Sequence, residues 1–106
     1  MRVEGNKITI SAVDKRGCAQ HVTFEVDKEI AEMAKDAVVA VATGKRGGAV
    51  MMIHVESGVS GDIWPAMIKC ENTPESMKMA FVEGMRINKK RMETQERLAN
   101  RLVNRW

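Results

Sequence analysis

Apolar and polar residues alternate in two neighbouring stretches near the start of this chain. In Lys7–Val13 (KITISAV), Ile8, Ile10 and Ala12 fall on one side and Thr9, Ser11 and Val13 on the other. That is the two-residue period of a strand with one covered face. Gln20–Val26 (QHVTFEV) repeats it, with Val22, Phe24 and Val26 inward. Between them Asp14-Lys15-Arg16-Gly17 is turn chemistry, with glycine where a positive φ costs least. The two runs predict a hairpin.

The period changes at Asp27. Ile30, Ala34, Ala37, Val38 and Val41 recur at helical spacing, Asp27 can cap the first turn, and Glu29 suits the positive end of the helix dipole. Gly44 has the place of a terminating glycine, so the pattern predicts one helix from Asp27 to Gly44. Ala49–Val55 (AVMMIHV) is nearly all apolar and short, which reads as a buried strand. Ser57-Gly58-Val59-Ser60-Gly61-Asp62 is a turn. Ile63–Cys70 (IWPAMIKC) is a further strand, limited to a sheet edge or a bulge because Pro65 has no backbone donor. Thr73 and Pro74 then open a helix as cap and first residue. The predicted fold class is α+β, a ββαββα two-layer sandwich. A four-stranded, mainly antiparallel sheet carries two helices on one face and ends in a long C-terminal helix.

That last helix reaches from Pro74 to Trp106. A continuous helix of this length is about 50 Å long, against roughly 30 Å for a compact domain of this size. At 100° per residue Met77, Phe81, Met85, Met92, Leu98, Ala99, Leu102, Val103 and Trp106 share one sector. Arg86, Lys90, Glu93, Arg97, Arg101 and Asn104 lie opposite. Asn88, Arg91 and Gln95 interrupt the apolar stripe. The interruption divides the chain into a domain over residues 1–87 and a basic helical extension over 88–106. It fits either a break near Asn88–Arg91 or a straight helix whose far patch meets a second copy. Met92, Leu98, Leu102, Val103 and Trp106 are the candidate self-association residues.

Composition adds charge asymmetry. The net charge is +3, yet residues 85–106 hold seven basic residues against Glu93 and Glu96, a local +5, which leaves −2 for the rest. A basic extension on a near-neutral body favours an anionic partner. Met1–Gly5 opens no signal peptide and no apolar run approaches a membrane span, so the expected setting is the reducing cytoplasm, with Cys18 and Cys70 as free thiols and no membrane partner. Only four aromatic residues occur, Phe24, Trp64, Phe81 and Trp106, and nine methionines replace some of the missing bulk.

The loop Gly44-Lys45-Arg46-Gly47 is the sharpest motif. With Val50 and Ile53 after it, and Ser57-Gly58 beyond, it resembles the K-homology nucleic-acid-binding module, whose G-x-x-G loop clamps a nucleic-acid backbone. The resemblance covers about 20 residues. It implies that Lys45 and Arg46 contact phosphates and that Ala49–Val55 is a helix, where the residue pattern reads strand.

Cys18, His21, His54 and Cys70 lack the close spacing of a metal site. No nucleophile setting, paired carboxylates or phosphate-binding loop appears. The expectation is therefore a small binding protein without catalysis or cofactor. Its candidate nucleic-acid contacts are Lys45, Arg46, Arg86, Lys89, Lys90, Arg97, Arg101 and Arg105, and it would act as a homo-oligomer. The competing expectation is a protein-interaction module, such as a homodimeric adaptor or an inhibitor of the accessory, phage-type kind.

Overall fold

The structure is a computed structural model and describes residues 1–44, 46–55 and 65–104. Six strands and two helices occur among them. They are β1 (Arg2–Glu4), β2 (Lys7–Val13), β3 (Ala19–Glu25), α1 (Lys28–Ala34), β4 (Ala37–Thr43), β5 (Gly48–Val55), β6 (Ala66–Glu71) and α2 (Pro74–Asn104). The class is mixed α+β, with one mostly antiparallel sheet and a long C-terminal helix. The strand count is larger than the pattern predicts.

The β2–β3 hairpin forms as the alternation requires, with Ile8 opposite Phe24 and Ile10 opposite Val22. Ile8, Ile10, Ala12, Val22 and Phe24 are all buried. β1 pairs with residues 7–9 of β2 through the tight Gly5-Asn6 turn, where Gly5 has φ +58.

The predicted helix from Asp27 to Gly44 is corrected. Asp27 does cap α1, its carboxylate accepting the Ile30 N–H, but the helix stops at Ala34 and residues 37–43 form β4. The sequence of β4, AVVAVAT, is rich in β-branched residues, which favour the extended chain. As a strand it also supplies hydrogen-bond partners to two neighbours. β4 pairs antiparallel with β5 along its length and parallel with the end of β2, at Ala12–Val41 and Val13–Ala42. β3 takes the whole of one edge of β2, so β1 and β4 share the other. Across the sheet the order is β3, β2, β4, β5, β6, with β1 beside β2.

The segment in conflict is a strand. Gly48–Val55 pairs with β4 on one side and β6 on the other, with every second residue buried. The K-homology resemblance is thereby corrected, because the helix that it requires after the G-x-x-G loop is β5. β6 is an edge strand that begins just after Pro65, where a missing donor does no harm. The turn at 57–62 and residues 63–64 lie outside the described residues.

One face of the sheet carries α2 and the buried side chains of α1. Ile30, Ala31 and Ala34 join Met77, Ala80, Phe81 and Met85 in a single core with the inward strand residues. The Phe24 and Phe81 rings meet there at 5.3 Å, tilted by 58°, a favourable aromatic geometry. Thr73 caps α2 by accepting the Ser76 N–H at 3.2 Å. The helix is continuous from Pro74 to Asn104. Its buried positions end at Asn88, and Met92 is half-buried. Every described side chain beyond Met92 is exposed, so the last turns overhang the sheet by roughly 18 Å. The molecule is accordingly elongated, 54 × 27 × 18 Å.

Candidate functional site

The parallel pairing of β2 with β4 has a local consequence. Both strands run the same way and end side by side, so their turns lie together at one end of the sheet. The first turn is Asp14-Lys15-Arg16-Gly17 and the second is Gly44-Lys45-Arg46-Gly47. Each contains Lys-Arg-Gly, and each glycine has a positive φ, +79 at Gly17 and +73 at Gly47. A shallow cleft of about 440 Å³ lies between them, lined by Asp14, Lys15, Arg16, Thr43 and Gly44. Lys15, Arg16 and Arg46 are exposed. Lys45 lies outside the described residues.

Hydrogen bonds fix both turns. The Gly17 N–H donates to the Asp14 carbonyl at 3.0 Å, and the Asp14 N–H to the Cys18 carbonyl at 3.1 Å. The Asp14 carboxylate accepts the Arg16 and Cys18 N–H groups, both at 2.9 Å. Asp14, the one acid among the described residues that line the cleft, is thus occupied with its own backbone, and Lys15 and Arg16 project from a fixed frame. In the second turn the Gly44 N–H donates to the Gly48 carbonyl at 2.9 Å, and the Asn72 N–H donates to the Gly47 carbonyl at 2.7 Å. That last bond ties the tip to the entry of α2.

The second basic element is on α2. Arg86, Lys90, Arg97 and Arg101 are exposed and fall within about 60° of one another around the helix axis. They form a stripe about 22 Å long, with Glu93 among them. Lys89 has a different place. Its ammonium donates to Glu29 of α1 and forms an ion pair with it. The hydrogen bond and then the charge of Glu29 hold the Lys89 pKa above its ordinary value, with a smaller contribution from Glu93. Lys89 joins the two helices. Arg105 and Trp106 lie outside the described residues, as does the side chain of Val103.

Among the described residues the structure does not bring the predicted cations into one site. The Arg46 turn is bonded to the entry of α2, and Arg97 and Arg101 lie more than 20 residues further along the same helix. At 1.5 Å per residue the two basic elements are on the order of 35 Å apart. Of the candidate self-association residues, Met92 packs on the core, while Leu98 and Leu102 are exposed.

Lys15 and Arg16 belong to the site although the sequence reading treats them only as a turn. The signal is present as the repeated Lys-Arg-Gly. It acquires meaning only through the β2–β4 pairing, which a helix over 37–43 conceals.

Cys18, His21, His54 and Cys70 do not converge. Cys18 follows the first turn, and His21 is bonded to Ser11 at 3.0 Å on the face of the sheet opposite the helices. His54 and Cys70 belong to opposite faces, as their registers with Val38 and Ala49 require. Among the described residues no group of three or more His, Cys, Asp or Glu could hold a metal ion. No described helix is long and apolar enough to cross a membrane.

Comparison with protein-family models, curated proteins and solved structures finds no match to this chain.

Proposed function

We propose that this protein is a non-catalytic module that binds the phosphate backbone of nucleic acid, with its twin-turn tip as the primary contact. The observation that carries the reading is the side-by-side placement of the Asp14–Gly17 turn and the chain end that leads from β4 to Arg46, with Lys15, Arg16, Thr43 and Gly44 lining one cleft. Arginine and lysine on fixed, closely spaced turns suit successive phosphates, because each neutralised phosphate releases condensed counterions. The α2 stripe is a second, separate contact. Phe24 and Phe81 are both buried, so neither offers a platform for base stacking. Binding through charge alone is sensitive to salt and nearly blind to sequence.

Fluorescence anisotropy with labelled single- and double-stranded oligonucleotides tests this across roughly 50 to 300 mM salt. Four to eight phosphate contacts would give a slope of log K against log salt of about −3 to −7. Absence of binding at the lowest salt, or a flat response, would remove the reading. A protein-interaction module remains the second reading. It is favoured by Leu98 and Leu102, exposed one turn apart on the overhanging part of α2.

A further inference from the structure

The helices cover one face of the sheet. An antiparallel sheet with an open face normally turns polar residues outward. Here that rule holds for only half of the face. Over β2 and β3 the outward residues are Thr9, Ser11, His21 and Thr23, linked in pairs by Thr9–Thr23 and Ser11–His21 hydrogen bonds of 2.9 and 3.0 Å. Over β4, β5 and β6 the outward residues are mainly apolar, with His54, Lys69 and Glu71 as the polar ones. Val38, Val50, Met52 and Met67 are all exposed, as are Ala40 and Ala42.

This apolar half has relief. Ala40 and Ala42 form the floor of a shallow groove of about 500 Å³ along β4. Val13 and Ser11 border it on one side, and Val50, Met52 and Met67 form the ridge on the other. A groove and a ridge therefore lie side by side on a single surface.

We propose that a second copy of this chain covers this face, in a two-fold, face-to-face stack of the two sheets. Consider a two-fold axis lying between the sheets and running along the boundary of β4 and β5. It places the methionine ridge of each copy over the alanine groove of the other. An isologous contact requires such self-complementarity. The area is also sufficient. About that axis β4 lies over β5 and β2 over β6, while β3 has no counterpart. Four strands at about 4.8 Å spacing, each some seven residues long at about 3.3 Å, give a face of roughly 440 Å². Two such faces remove about 900 Å² in flat projection, and more in accessible area because the surface is corrugated. A stable association needs about 1,000 Å². Stacked sheets at about 10 Å leave room for the interleaved side chains. The contact uses neither the basic tip nor the α2 stripe, and does not rest on the nucleic-acid reading.

The methionines provide the test in the unaltered full chain. Met67 on the open face is 70% exposed in the single chain, and Met79 on the outer side of α2 is 73% exposed. Peroxide should oxidise the two at similar rates in a monomer. In the stacked dimer Met67 is expected to react at least about five-fold more slowly than Met79, because its thioether is buried. Dilution should abolish the difference in step with loss of the dimer mass in sedimentation. The variant Met52→Glu, at an exposed position, should weaken dimerisation at least about ten-fold while keeping the circular dichroism of the parent. Leu98→Lys combined with Leu102→Lys should leave the dimer intact. Equal oxidation of Met67 and Met79 at every concentration would overturn the proposal. So would a dimer lost in the Leu98/Leu102 variant and kept in Met52→Glu, which would assign the contact to the helix extension.

Discussion

Asn88 of α2 bonds to Ile53 of β5 much as a neighbouring strand would. Its Nδ2 donates to the Ile53 carbonyl at 3.2 Å, and its Oδ1 accepts the Val55 N–H at 3.4 Å. Among the described residues β6 pairs with β5 as far as Ile53, opposite Ala66. Asn88 serves the β5 backbone groups just where that pairing ends. It is fully buried and also donates to the Gly84 carbonyl at 2.8 Å. Truncation in Asn88→Ala leaves a buried donor and a buried acceptor unpaired, at about 1–3 kcal/mol each. The expected loss is about 2–6 kcal/mol in urea unfolding. Asn88→Asp keeps the acceptor but buries a charge, so its deficit should shrink on acidification. A loss under about 0.5 kcal/mol for Asn88→Ala would refute this role.

Gly84, one turn earlier, sets how closely the helix approaches the sheet. A Cβ at this position would stand 2.4 Å from Ile53 Cδ1 and 3.2 Å from its Cγ1. Glycine inside a helix costs about 1 kcal/mol against alanine, so Gly84→Ala gains that much locally. Overpacking against a fully buried Ile53 costs about 1–3 kcal/mol, and the balance should be destabilising. Ile53→Val removes the atom in closest conflict. In that background Gly84→Ala should turn neutral or stabilising, and a double-mutant cycle measures the coupling. Additive effects would show that the contact is not what keeps glycine there.

Strict alternation at Ile8-Ile10-Ala12 and Val22-Phe24 fits only one period, and both strands and their inward faces follow from it. Ala37–Thr43 is apolar at nearly every position and satisfies both periods. Its β-branched residues, and the need of β2 and β5 for a partner between them, decide for a strand, and that need is a property of the whole sheet. Asn88 reads as a polar gap in a helix stripe because nothing local announces the β5 backbone groups that it serves. The Lys-Arg-Gly repeat is visible at 15–17 and 45–47, but only the parallel β2–β4 pairing gives it a geometry.

The two thiols differ in setting. Cys18 is exposed just after the first basic turn, whereas Cys70 is half-buried on the helix side of β6. Burial pushes the Cys70 thiol above its usual pKa. The thiolate is the reactive form, so near neutral pH iodoacetamide should modify Cys18 about ten-fold faster or more. Peptide mass spectrometry reads both rates directly. Comparable rates would mean that β6 opens readily from α2.

Lys89 and Glu29 give a pH dependence with a definite sign. The folded-state pKa of Lys89 is raised, so the pair contributes its full stabilisation below the unfolded lysine value of 10.5. That contribution is lost as pH rises through the folded value. Melting temperatures of the parent and Lys89→Met should therefore differ by a constant amount up to about pH 10 and converge only as pH rises through the folded value, above 10.5. Both side chains are largely exposed, which keeps the difference small. A gap that widens with alkaline pH would contradict the pairing.

Arg16 and Arg46 stand on adjacent turns, while Arg97 and Arg101 lie on the order of 35 Å away along α2. On the proposed reading, Arg16→Ala and Arg46→Ala each remove about one phosphate contact. Each should lower the salt slope by about 0.7–0.9 and weaken binding to all sequences alike. Combined with each other they share one stretch of backbone, so their effects should couple. Combined with Arg97→Ala and Arg101→Ala they should add, because the two sites have no side chain in common. A long oligonucleotide that spans both elements should respond to all four substitutions. One of only a few nucleotides should respond to the tip pair alone. If short strands lose affinity through the α2 variants and keep it through the tip variants, the primary contact moves to the helix.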